Sequence, residues 1–211
     1  MSLTEELQQG IAQIGIAIDM EARRKLLEYL ALLQKWNKVY NLTAIRDPQQ
    51  MVSHHLLDSL AVIPHLWSGR WLDVGCGAGL PGVVLAIAQP EWSFTMLDSN
   101  SKKIGFVQQA IIELGLHNAS VQCARVENWH PEERFDGIIS RAYTELGDFL
   151  QSTRHLVAEH GRWAAMKGAP EKELVGLPSG CKAERLIPLQ VPGLRAARSL
   201  VIATCKRSGA A

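Results

Sequence analysis

From Asp19 to Pro64 the apolar residues recur at helical spacing, whereas beyond Trp71 they gather into short runs separated by helical stretches. Leu26, Leu30 and Leu33 follow Asp19, a residue able to cap a helix, at three-to-four spacing. Asp47-Pro48-Gln49-Gln50 offers a cap, an N1 proline and a capping-box glutamine for another helix ending near Pro64. The short runs predict strands at 71–75, 93–98, 119–123, 135–140 and 162–167, with helices at roughly 80–88, 101–114 and 145–158. Segments 182–190 and 198–205 read as two more strands joined without a helix, hence an antiparallel pair at a sheet edge. The pattern implies an α/β fold: a mostly parallel, seven-stranded, Rossmann-like sheet with helices on both faces and an N-terminal helical extension. With 211 residues, too few for two independent cores, the extension (1–68) and the core (69–211) are expected to form one structural unit.

Composition narrows the class. Hydrophobic residues make up 47% and charged residues 20%, which excludes disordered and fibrous architectures. No apolar run approaches the roughly 20 residues needed to span a bilayer, and the start lacks the basic-then-apolar order of a signal peptide, so a cytoplasmic protein is expected. The four cysteines, Cys76, Cys123, Cys181 and Cys205, are far apart and form no Cys-x-x-Cys pair, so they read as free thiols and no metal site is expected. Net charge is only +1, but from Lys182 to Arg207 there are six basic residues against one acid, Glu184. That distribution fits a basic face or scattered charges on an edge hairpin.

The chemistry concentrates in Leu72-Asp73-Val74-Gly75-Cys76-Gly77-Ala78-Gly79-Leu80-Pro81-Gly82, a strand entering a glycine turn and then a helix. Such a turn lets a ligand approach the backbone, and the helix start offers amide donors. Gly77-x-Gly79-x-x-Gly82 also satisfies the dinucleotide-binding pattern, so a nicotinamide or flavin dinucleotide must be weighed. Against it, Asp73 lies two residues before the first glycine. A carboxylate there repels a diphosphate but attracts the amino group of a methionine moiety, as in motif I of class I S-adenosyl-L-methionine-dependent methyltransferases. Asp98, nineteen residues after Gly79, ends the next strand where an acid accepts bonds from ribose hydroxyls in either cofactor class.

Beyond this loop the chain resembles the bacterial 16S ribosomal RNA guanine-N7 methyltransferases of the RsmG, or GidB, family over roughly residues 20–206. The resemblance rests on Lys35-Trp36-Asn37, Tyr40-Asn41-Leu42-Thr43, Arg46-Asp47-Pro48, His55 with Leu57-Asp58-Ser59, the glycine loop, Leu97-Asp98-Ser99, Arg125-Val126-Glu127, Ser140-Arg141-Ala142 and Lys167-Gly168. It implies S-adenosyl-L-methionine held by Gly75, Gly77, Gly79, Leu80, Asp98, Val126, Glu127 and Arg141. The implied substrate is 16S rRNA, methylated at guanine 527 in the 530 loop; the near-neutral net charge points to the assembled 30S subunit as the binding surface, and a monomer is the default expectation. Asn41, Arg46 and Lys167 are candidate substrate contacts.

Guanine N7 carries a lone pair and no proton, so no general base is required and no catalytic residue is assigned; positioning alone supplies roughly 7–11 kcal/mol. Ser140-Arg141-Ala142-Tyr143 stands where exocyclic-amine methyltransferases of DNA carry an Asp- or Asn-Pro-Pro-aromatic motif, and no cysteine lies in a cytosine-C5 motif. Arg141 suits the guanine edge or the cofactor carboxylate, or else a structural bridge to Asp98 or Glu127. His55 with Asp58 or Ser59 reads as a local helix bond, and Trp36 with Tyr40 as packing aromatics in preference to a base-stacking pair. An oxidoreductase using NAD and a cofactor-binding scaffold without transfer activity are the alternatives.

Overall fold

The computed structural model describes residues 1–206; Arg207, the last member of the basic run, lies outside them. The first helices are α1 (Leu3–Ile14) and α2 (Met20–Tyr40). A reciprocal capping box between Ser2 and Glu5 starts α1, and Gly15, with φ 79°, ends it. Asp19 caps α2 through the Ala22 amide at 2.7 Å, as its position behind the apolar repeat predicts.

The expected single helix before Pro64 is broken. It runs as α3 (Pro48–Met51), a π-helical segment (Val52–Leu57), α4 (Asp58–Leu60) and a 3₁₀ turn (Ile63–His65). Asp47 caps the Gln49 amide, and no capping box with Gln50 forms. A π turn rotates the residues after it relative to an α-helix, and here it sets Asp58 facing the sheet.

Seven strands follow: β1 (Arg70–Val74), β2 (Ser93–Asp98), β3 (Ala119–Cys123), β4 (Phe135–Arg141), β5 (Val157–Lys167), β6 (Cys181–Leu189) and β7 (Arg198–Cys205). Between them stand α5 (Gly82–Ala88), α6 (Ser101–Glu113) and α7 (Leu146–Thr153). The strand order is β3-β2-β1-β4-β5-β7-β6; the first five are parallel, and β7 is antiparallel to both neighbours. The final strand is therefore internal, and only β6 forms that edge. α7 is shorter than the expected 145–158 because β5 begins at Val157, five residues before the expected 162.

Alternation along the buried strands sends neighbouring residues to opposite layers. Trp71, Met96, Ile139, Ala164 and Ile202 join the core under α1, α2, α5 and α6. Leu72, Leu97, Ile138, Ala165 and Val201 pack beneath α7. Leu7, Leu26, Leu30 and Leu57 from the N-terminal helices share the first of these cores, and each such fully buried side chain contributes roughly 1.5–3 kcal/mol.

The cysteine expectation is corrected in part. Cys181 and Cys205 form a disulfide, because register sets them opposite each other at the β6–β7 end; a separation of 24 residues concealed the pairing in the sequence. Cys76 and Cys123 are free thiols.

Candidate active site

Strand order reverses between β2-β1 and β4-β5, so the carboxyl ends of β1 and β4 border a crevice, the usual ligand position in open α/β sheets. The glycine loop leaves β1 there, with Gly75 at φ 66°, Gly77 at φ 57° and Gly79 at φ 86°. A Cβ on Gly75 would stand 2.4 Å from the Tyr143 ring, and one on Gly79 2.5 Å from Val83. The loop's curvature and its close approach to neighbours both demand glycine.

The amides of this loop are largely consumed within the protein. Gly75 and Cys76 donate to the Leu97 carbonyl at 2.8 and 3.1 Å, while Gly79 and Leu80 both donate to the Cys76 carbonyl. Gly77 donates to Asp98 Oδ2 at 3.0 Å, and Gly82, at the helix start, donates to Asp73 Oδ2 at 2.8 Å. Tyr29, wholly buried on α2, donates its hydroxyl to the Ala78 carbonyl at 2.6 Å and ties the N-terminal helices to the loop. The expected free amide donors at the helix start are therefore occupied. A diphosphate would meet few free donors and two nearby carboxylates, Asp98 and Glu127.

Asp73 is fully buried, so it serves the loop from beneath; its second oxygen, Oδ1, has no partner. Burial pushes its carboxyl up to about 7, opposed by the Gly82 bond.

A cavity of about 300 Å³ opens beside the loop, with Gly75, Asp98, Lys103, Val126, Glu127 and Tyr143 on its walls. Asp98 ends β2 and accepts one backbone amide on each oxygen, from Gly77 and from Asn100 at 2.8 Å. Each oxygen keeps lone-pair capacity for a ribose hydroxyl. The flat Tyr143 ring over Gly75, the apolar Val126 and the two acids suit an adenosine without a diphosphate. Of the eight cofactor candidates, Gly75, Asp98, Val126 and Glu127 line this cavity; Gly77, Gly79 and Leu80 shape the turn behind it. Lys103 and Tyr143 were not singled out as cavity residues, although their places after β2 and β4 were available as a signal.

Arg141 lies elsewhere. It lines a second cavity, of about 360 Å³, with His55, Asp58, Met166, Lys167 and Arg198. Ala142, left-handed at φ 53°, belongs to the walls of both cavities and marks their boundary. Arg141 bridges to Asp58, in place of Asp98 or Glu127: Nη1 donates to Asp58 Oδ2 at 3.0 Å and to the His54 carbonyl at 2.8 Å. Arg198 Nε donates to the other Asp58 oxygen at 3.0 Å. One carboxylate, 1% exposed, thus holds two arginines from different strands. Lys167 pairs with Glu173 at 2.7 Å.

His55 bonds Thr43 Oγ1 through Nε2 at 3.0 Å, not Asp58 or Ser59. Burial, then Arg141, lowers its pKa to about 4 and keeps the ring neutral. Asn37 bonds both the amide and the carbonyl of Thr43, at 2.9 and 3.0 Å, so the 41–47 loop is clamped from α2 and from the π turn together. Asn41 and Arg46 are exposed; Arg46 Nη2 donates to Asn41 Oδ1 at 3.1 Å, and of this loop it is Ile45 that lines the second cavity. Trp36 packs on Phe106 and Tyr40, in keeping with packing aromatics.

Sheet order, glycine turn and acid-walled nucleoside cavity together define a class I methyltransferase fold. Solved structures share it at low identity. The glycopeptide N-methyltransferase MtfA, solved with S-adenosyl-L-homocysteine, is 12% identical with a TM-score of 0.62, over 72% of this chain and 87% of that one. TrmN from Thermus thermophilus is 17% identical with a TM-score of 0.57, over 73% and 53%. The profile of the family described as GidB, rRNA small subunit methyltransferase G, matches residues 22–201. Proteins named ribosomal RNA small subunit methyltransferase G are 51% identical in Laribacter hongkongensis, over 95% of this chain and 98% of the relative, and 52% identical in Pseudomonas aeruginosa, over 95% of both. The chain belongs to this family.

Proposed function

We propose that the protein methylates N7 of a guanine in 16S rRNA, guanine 527 in the 530 loop by resemblance, within the 30S subunit in the cytoplasm. The observation that carries the reading is the pairing of two cavities across Ala142. One suits an adenosine, and the other is lined by basic side chains, with its one carboxylate taken up by two arginines. S-adenosyl-L-methionine supplies the electrophilic methyl group when bound. Asp98 would hold its ribose and Val126 and Glu127 would border its adenine, beside the Tyr143 ring that lies over Gly75.

On the acceptor side, Asp58 is occupied by two arginines, and burial makes His55, bonded to Thr43 through Nε2, a weak base, so neither is suited to remove a proton. N7 needs none, because its lone pair is the nucleophile. Arg141, held at Nη1, keeps further guanidinium donors that suit O6, the acceptor next to N7 on guanine's exposed edge. Arg198 keeps donors beyond its Asp58 bond for the phosphates around a base turned into the cavity, and Lys167, paired with Glu173, borders the same cavity. The protein's work is alignment and the exclusion of water.

Labelled methyl transfer from S-adenosyl-L-methionine to 30S subunits lacking the modification, with the product mapped by cleavage at N7-methylguanine, tests the proposal. Label at the 530-loop guanine is expected. Cofactor binding without transfer to any 16S guanine would overturn the acceptor and leave the fold class standing.

A further inference from the structure

We infer a second RNA contact outside both cavities: a groove of about 440 Å³ between α2 and α3 that grips backbone phosphate with Lys35, Lys38 and Arg46. The remaining walls are Ala31, Gln34, Pro48 and Met51, so no carboxylate lines it. Its basic side chains can all present donors. Lys35 and Lys38, three residues apart on the exposed side of α2, carry no salt bridge among the described residues. Gln34 lines the same groove, but its amide nitrogen is sealed from solvent, so the three cations carry the contact. Arg46 is aimed by its bond to Asn41. Three cations and no carboxylate in one groove call for an anionic oxygen ligand.

Position makes that ligand RNA. Ile45 lines the second cavity while the adjacent Arg46 lines the groove, so one short loop forms a wall of each. The Asn37 clamp on Thr43 and the Thr43–His55 bond hold this loop still, fixing the groove relative to the cavity. A strand that turns one base into the cavity carries its neighbouring phosphates past the loop and into the groove. Val39, 70% exposed and one turn beyond Lys35 on α2, extends the same surface with apolar contact area. The total charge of +1 is then no obstacle to binding, because the contact is local.

The inference rests on the rRNA reading, and its test separates the two. Binding of the full-length protein to unmodified 30S subunits is measured against salt for the unaltered protein, Lys35→Ala/Lys38→Ala and Lys35→Arg/Lys38→Arg, with adenosylhomocysteine affinity measured alongside. The alanine pair is expected to bind subunits about tenfold more weakly and to flatten the log–log salt slope by roughly 1.5, as loss of two phosphate contacts requires; the arginine pair retains both values. Adenosylhomocysteine affinity stays unchanged in all three. An unaltered salt slope in the alanine pair would overturn the groove. Binding that follows the predicted slopes without methyl transfer would keep the groove and refute the reaction.

Discussion

The two cavities that meet at Ala142 are built on opposite logics. The cofactor side is made from the glycine loop and the segments that follow β2, β3 and β4, with the loop's amides tied to the Leu97 carbonyl and to Asp98 and Asp73. The proposed acceptor side is made from side chains of the π turn, α4, β4, β5 and β7, held together by one buried carboxylate. The first rests on backbone geometry and tolerates little change in backbone shape. The second depends on long-range charge pairing and tolerates little change in charge.

Breaking that contrast at its centre has the largest expected effect. Asp58→Ala leaves Arg141 and Arg198 without their shared anion, and removing one partner of a buried pair costs about 3–5 kcal/mol; their partial exposure places the loss near the lower end. Methyl transfer should fall at least 100-fold with adenosylhomocysteine affinity little changed, read by single-turnover kinetics, calorimetry and denaturant melts. Equal loss of both would show that the cavities are not separable. Gly75→Ala, on the other side, drives a methyl group into the Tyr143 ring at a positive φ and should cost about 1–3 kcal/mol of backbone strain, with adenosylhomocysteine affinity down more than tenfold. A variant that binds normally would show that Tyr143 swings away freely.

Asp98→Ala removes the proposed ribose acceptor and an anchor of the Gly77 amide; about tenfold weaker cofactor binding is expected, at roughly 1.4 kcal/mol. Asp73 gives a subtler signature in pH. Its carboxyl titrates near 7 in the folded protein and near 3.8 when unfolded, so between these values the native state binds more protons. Its contribution is most favourable below pH 3.8 and is lost as pH rises through 7. Across pH 4 to 7, stability should therefore decline relative to Asp73→Asn, by an amount on the order of a few kcal/mol. A constant difference between the two melting curves would mean Asp73 is ionised throughout. Asn41→Ala should do least: a left-handed C-cap and the aim of Arg46 are lost, about 1 kcal/mol, with RNA methylation weakened and cofactor binding intact.

Legibility in the sequence follows the same divide. The glycine turn, the acid ending β2 and the alternation of strands with helices could be read directly, because each depends on residues within one turn or one strand. Asp19 as the α2 cap and Trp36 as a packing aromatic were legible for the same reason. Arg141 was noticed, but its partner was misplaced: Asp98 and Glu127 are the nearby acids in a linear view of the sheet, whereas Asp58 reaches it only through a π turn that periodicity predicts as ordinary helix.

Along the chain, then, are determined the strand–helix alternation, the places where only glycine fits and the acids that follow, since backbone sterics and side-chain period act over a few residues. Tertiary structure alone decided that Arg198 and Asp58, 140 residues apart, share a bond, that β7 runs inside β6, and that Cys181 meets Cys205. Such pairings depend on strand order and register, and these are settled only when both faces of the sheet are buried at once.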